Sequence, residues 1–306
     1  MVLVHQQTET AMLNPLTRRD MIRTGLAAAG LLAAGAAWPR AAGAAEAAAG
    51  ATKCSFHLGT VTYMIGAQMD LPTLISVCEK SGMEGVELRT THKHGVEPSL
   101  DAAGRAKVRE TFGKTKVKLV ALGTTCEFHS ADPAVVKKNI AECGEFIKLA
   151  ADVGAPLVKV RPNGFVKNLT PEESLKQIGK AVAECGELAK EKGIIIVVEM
   201  HGAPSDATNM AKIMEACKHP SCGLCWNSNA GDAKTGSVKA NFDLVKQWIK
   251  HCHVRELTKS DYPWQELMTC FKGIGYTGYT MLETSTKEDP VEYLKKQRAA
   301  WEKMVS

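Results

Sequence analysis

The chain has 306 residues, of which 45% are hydrophobic and 23% charged. This is the profile of a soluble globular protein able to bury one substantial core. Its formal net charge is +5, and four arginines (18, 19, 23 and 40) against Glu9 and Asp20 place +2 of that in the first 45 residues. The remaining charge is too weak for a nucleic-acid footprint, so no nucleic-acid partner is expected.

At the N-terminus the basic stretch LTRRDMIRTG runs into an Ala-rich apolar segment over residues 25–38, followed by small residues. That order is a secretory signal, and Arg18-Arg19 ahead of it has the form of a twin-arginine signal, which exports folded proteins. Only 16 uncharged residues separate Arg23 from Arg40, short of the ~20 a spanning helix needs, so a stable membrane anchor is not expected. Residues 1–45 are therefore read as a signal peptide, cleaved after Ala42 or Ala45, and the protein as periplasmic or otherwise exported.

From Ser55 onward β-branched runs alternate with longer amphipathic stretches, the signature of parallel βαβ units. Eight strand candidates follow in order: FHLGTVTY, GVELRT, KLVALGTT, PLVKVRP, IIIVVEM, CGLCWNS, KHCHVREL and YTMLETS. Helices are expected over 71–80, 133–153, 171–190, 207–217 and 241–250, with a last one over 290–304 closing the outer ring. Eight such units in about 260 residues predict a single α/β domain over residues 53–306, a (β/α)8 barrel. An open doubly wound sheet is disfavoured because no Gly-rich phosphate turn follows the first strand. Of the ten cysteines, most fall at apolar helix positions and read as small buried hydrophobes. Cys222-x-x-Cys225 is a single pair entering a strand and reads as structural.

In such a barrel the C-terminal strand ends converge on one site. The fifth strand puts Glu199 and His201 on one face, the seventh aligns His251, His253 and Arg255, and the eighth ends in Glu283. Each of these has a bland reading as an ion pair or a hydrogen-bonded histidine. Their coincidence at the same end of neighbouring strands points to a divalent-metal shell. His94, Glu127, His129, Arg161 and His201 fall after strands two to five as substrate-binding candidates, with Arg255 after strand seven. Trp264, in the loop SDYPW, is the lid candidate.

These residues resemble the xylose isomerase-like sugar isomerases and epimerases, and the resemblance covers the whole mature chain. It implies a (β/α)8 barrel with one divalent metal (Mn, Co, Zn or Mg), held in the ketose epimerases by Glu, Asp, His and Glu on strands five to eight. Glu199, His253 and Glu283 fill three of those roles, and GVELRT is typical of strand two. Asn227 stands where the Asp would be, and Ala230 where epimerases often carry a substrate-binding His. An Asn carbonyl can ligate but brings no charge.

The resemblance implies Glu199 and Glu283 as acid and base around an enediolate formed next to a carbonyl. The same enolate serves a lyase or hydratase, and the Asn227 departure leaves room for a non-catalytic sugar-binding barrel. A hydrolase of the endonuclease-IV type needs more zinc ligands than these strands carry. The expected partner is a small sugar or sugar-derived substrate.

Overall fold

The structure, a computed structural model, describes residues 55–306. The signal-peptide reading of residues 1–45 and Cys54 lie outside the described residues. The elements run β1 (His57–Val61), α1 (Leu71–Ser81), β2 (Gly85–Arg89), α2 (Ala102–Gly113), β3 (Lys118–Gly123), α3 (Pro133–Val153), β4 (Leu157–Val160) and α4 (Pro171–Lys190). They continue β5 (Ile195–Glu199), α5 (Ala207–Cys217), β6 (Cys222–Asn227), α6 (Lys239–Val245), β7 (Ile249–Val254), α7 (Trp264–Gly273), β8 (Tyr279–Leu282) and α8 (Pro290–Val305). All eight strands are parallel neighbours, and β1 pairs with β8 to close the barrel.

Local chemistry starts the helices where the strands need them. Asp70, Asp101, Asp132, Thr170, Asp206 and Asp289 each accept a backbone N–H from the first turn of the helix that follows, satisfying donors the helix cannot. The expected helix over 241–250 is shorter than its periodicity suggests. It begins at Lys239 and ends at Val245, a 3-10 turn spans Lys246–Trp248, and Lys250 already belongs to β7. Two further helices, α2 with only Val108 and Phe112 buried and α7 with a stripe of Trp264, Leu267, Met268 and Phe271, complete the ring.

The main core lies between strands and helices and includes Leu58, Val86, Leu122, Ile178, Ile196, Leu224 and Phe271. A smaller one fills the barrel axis, with Val61, Val120 and Met281 packed beside Leu157 and Tyr279. Above this apolar plug, toward the strand C-termini, the inward side chains turn polar, which is where barrel enzymes work. The nine described cysteines are all buried and free. Cys222 and Cys225, three apart on an extended strand, point to opposite faces and cannot act as a chelating pair.

Candidate metal centre and substrate cleft

Period-two alternation sends Glu87, Lys159, Glu199, His251 and His253 into the barrel, where all five are buried. Glu87 sits at the base. Its Oε2 accepts from His251 Nε2 at 2.8 Å and from His253 Nε2 at 2.9 Å. Room for it comes from Gly123 on β3, where a Cβ would lie 2.6 Å from Glu87 Oε1. Burial by itself would raise the Glu87 carboxyl, but the two imidazoles outweigh it and hold it well below the ordinary range.

With Nε2 committed to Glu87, His253 presents Nδ1, which is buried and has no hydrogen-bond partner. Glu199 Oε1 lies 3.4 Å and Glu283 Oε2 3.8 Å from that nitrogen. A carboxylate-backed imidazole aimed between two carboxylates is a cation site with its outer support in place. Ligand atoms of Glu199, His253 and Glu283 all lie within 4.8 Å of one another, so these three residues fit a divalent metal. Burial alone would lower the His253 pKa, yet the charges around it raise it well above its usual value. A positive charge at Nδ1, whether proton or metal, is what the site favours. Cys225, His251 and His253 form a second such cluster. There burial pushes the Cys225 thiol up to about 11, which keeps it protonated and a poor metal ligand.

The two carboxylates of the candidate centre differ. Glu199 Oε2 accepts from Lys159 Nζ at 2.6 Å and Glu199 Oε1 from Asn227 Nδ2 at 3.0 Å. Burial raises its pKa, but Lys159 first and His253 next pull it below the carboxylate range. Lys159 in turn is kept protonated, because the carboxylates of Glu199, Glu87 and Glu283 outweigh its desolvation. Glu283 accepts no hydrogen bond, and burial raises its pKa. Asn227 therefore enters differently from the sequence expectation. It turns its amide N–H toward Glu199 and orients that carboxylate instead of presenting a carbonyl lone pair.

Over this centre opens a cleft of about 390 Å³, including its open mouth, lined by Tyr63, Arg89, Lys159, Arg161, His201 and Glu283 among others. Arg161 and His201 are thus at the cleft, as the strand ends implied. His201 Nδ1 donates to Asn163 Oδ1 at 3.0 Å, and Asn163 is brought there by a close approach to Gly202. Gly202 has φ +74°, and a Cβ on it would lie 2.0 Å from the Asn163 carbonyl oxygen.

The other substrate-binding expectations are placed elsewhere. Glu127 accepts from Arg161 at 2.7 Å and Asn163 at 2.9 Å, and with His129 it lines a separate depression beside α3. His94 spends both nitrogens on backbone, donating to the Arg89 carbonyl and accepting from Val96 N–H, so it shapes the β2–α2 loop. Arg255 lies over the Tyr262 ring and near Asp261. Trp264 is a correction: it is 3% exposed, begins α7, packs on Tyr262 and donates to the Lys259 carbonyl. An indole so anchored is core and cannot serve as a lid.

Sequence reasoning missed Glu87, Arg89 and Tyr63. The signal for the first two was available, since Gly85, Glu87 and Arg89 share one face of GVELRT, and a carboxylate inside an apolar strand needs a buried partner.

Residues 75–304 match the model of a family described as the xylose isomerase-like TIM barrel. The chain belongs to that family. An inosose isomerase of Halalkalibacterium halodurans is 24% identical over 232 residues, spanning 68% of this chain and 80% of the relative. Several solved structures share the fold at a TM-score of 0.68, among them the following three. The zinc-bound IOLI protein is 16% identical and covers 82% of this chain and 98% of its own. A D-psicose 3-epimerase from Clostridium cellulolyticum, with D-tagatose, is 14% identical with coverages of 81% and 98%. The 3-keto-D-glucoside 4-epimerase of E. coli is 10% identical with coverages of 81% and 99%. Among the described residues, no helix is long and apolar enough to cross a membrane.

Proposed function

We propose that this protein is a metal-dependent sugar isomerase or epimerase that moves a proton next to a carbonyl, exported by its twin-arginine leader. The observation that carries this reading is His253 Nδ1, partnerless and aimed between Glu199 and Glu283 beneath an open cleft. The isomerase and epimerases among its relatives support it. A divalent metal held by Glu199, His253 and Glu283 would polarise the substrate carbonyl and lower the cost of the enediolate left by proton removal.

The protein's own groups supply the rest. Glu283 is the base, because its carboxylate accepts no hydrogen bond, borders the cleft and has a raised pKa. Glu199, with both oxygens held by Lys159 and Asn227, keeps its charge and position and is the poorer proton carrier. Lys159 holds an ammonium beside the reacting carbons, where it offsets negative charge as it develops. His201, with Nδ1–H committed to Asn163, offers Nε2 to a substrate hydroxyl.

One free carboxylate favours isomerisation, in which a single base carries a proton between adjacent carbons on one face. Epimerisation asks for a donor on the other face as well. The test is solvent-deuterium exchange into candidate ketoses and keto-sugars by protein purified without chelators, alongside elemental analysis. The expected result is about one divalent metal per chain and deuterium at the carbon next to the carbonyl. A loaded metal with no exchange into any of them would reject the catalytic reading in favour of a sugar-binding barrel.

A further inference from the structure

The cleft carries three full positive charges, Arg89, Lys159 and Arg161, against two carboxylates, Glu199 and Glu283. Two of the cations are already answered. Lys159 pairs with Glu199, and Arg161 Nη2 pairs at 2.7 Å with Glu127, which lies outside the cleft lining. Arg89 is not answered: among the described residues no carboxylate lies within 4.0 Å of its guanidinium.

Arg89 is nevertheless held in place. Its Nη1 donates to the Thr90 carbonyl at 2.9 Å and to Thr91 Oγ1 at 2.8 Å, and its guanidinium carbon lies 5.6 Å from the centre of the Tyr63 ring. Thr91 takes a left-handed φ of +69° at that point, and Glu97 accepts its N–H and the Thr90 hydroxyl. The loop thus fixes the guanidinium without neutralising it, leaving Nε and Nη2 unspent. Arg161 also keeps a donor in reserve, since only its Nη2 is paired, with Glu127, and its Nη1 makes no hydrogen bond among the described residues. Two guanidinium groups with unspent N–H donors at one cleft make a receptor for a planar anion.

The charge count agrees. Once the Lys159–Glu199 and Arg161–Glu127 pairs cancel, Arg89, Glu283 and the buried Glu87 remain, and a divalent metal in place of the His253 proton would bring the loaded site to a surplus of one positive charge. A neutral sugar would leave that surplus inside a confined cleft. We infer that the substrate is a sugar acid whose carboxylate is bound by Arg89 and Arg161 while its carbonyl end faces Glu283. The carbonyl half rests on the isomerase reading above, whereas the carboxylate seat needs only the two arginines. A carboxylate fits better than a phosphate because the lining residues all come from strands or the loops directly after them. No helix N-terminus or glycine-rich turn adds the further N–H donors that phosphate sites gather.

The test compares D-glucuronate, D-glucose and D-glucose 6-phosphate binding to the full chain by calorimetry, with and without manganese, at low and high salt. Glucuronate is expected to bind about tenfold or more tightly than glucose, as charge-assisted hydrogen bonds allow, with the advantage shrinking in high salt. Arg89→Met should abolish the preference, and Arg89→Lys, which keeps the charge but loses the fork, should retain only part of it. Equal binding of glucuronate and glucose by the wild type would overturn the inference, as would tighter binding of the phosphate. A preference unchanged in both Arg89 variants would overturn it too. Deuterium exchange separates the two readings. Exchange into neutral keto-sugars without any preference for their acids defeats the carboxylate seat alone, and acid-selective binding without exchange defeats the isomerase reading alone.

Discussion

Replacing Lys159 with Met removes one charge from the centre of the barrel while keeping most of the side-chain volume, so little of the effect comes from a cavity. Lys159 and Glu199 have side chains only 6% and 2% exposed and meet at 2.6 Å. Removing Lys159 leaves a buried carboxylate with the amide of Asn227 and the His253 imidazole 3.4 Å from Oε1 but no ion pair at hydrogen-bond distance, and breaking a buried pair costs up to about 3–5 kcal/mol. The cost should fall on the metal-free protein. With metal bound, the cation takes over neutralisation of Glu199, so the same substitution should cost much less and metal affinity should rise, each tenfold gain corresponding to about 1.4 kcal/mol. Urea unfolding followed by circular dichroism, in chelator and in excess manganese, reads both states. Pairing Lys159→Met with Glu199→Gln in a double-mutant cycle isolates the interaction. A loss below about 1 kcal/mol in chelator, or a coupling under about 0.5 kcal/mol, would refute the claim that Lys159 compensates Glu199.

Asn227→Asp places a second carboxylate against Glu199 Oε1, where the amide now donates at 3.0 Å. Like charges at such a distance cost roughly 5–6 kcal/mol at an effective dielectric of 20, so metal titration should show tighter binding and chelated protein a lower Tm; unchanged values in both would show that Asn227 does not face this centre. Gly123→Ala drives a Cβ into Glu87 Oε1 and displaces the support behind His253, so metal affinity should fall about 10–100-fold, and equilibrium dialysis matching the wild type would contradict the geometry. Asp232 tests linkage away from the centre: burial pushes its carboxyl up to about 7 from 3.8. Between those values the folded state binds more protons than the unfolded one, so this group's contribution falls as pH rises, by up to about 4 kcal/mol at about 1.4 per unit. Asp232→Asn should therefore raise Tm at pH 8 and leave it nearly unchanged below pH 4, and an equal shift at both would refute the assignment.

Glu199, His253 and Glu283 were legible because each lies at the C-terminal end of a β-run, and parallel barrels gather such ends at one mouth. Arg161 was legible as a cation after the fourth strand, but neither its pairing with Glu127 nor that of Lys159 with Glu199 was. Trp264 was misread because a loop motif does not reveal that the following helix buries its first residue. The break between α6 and β7 was obscured because an amphipathic stretch can pass through a 3-10 turn into a strand without losing its apolar spacing.

The order of apolar runs and caps in this chain was by itself enough to specify eight parallel units and the end at which their polar residues meet, since strand alternation and helix capping are local properties. Which charges neutralise one another was decided only by barrel closure. It brings Glu87 of β2 under His251 and His253 of β7, 164 and 166 residues away, and sets Lys159 of β4 against Glu199 of β5. It leaves Glu283 and Arg89 without an ion-pair partner closer than His253 Nδ1 at 3.8 Å from the former. Pairing energies depend on distances between strands, and a one-dimensional pattern carries no information about those until the sheet closes.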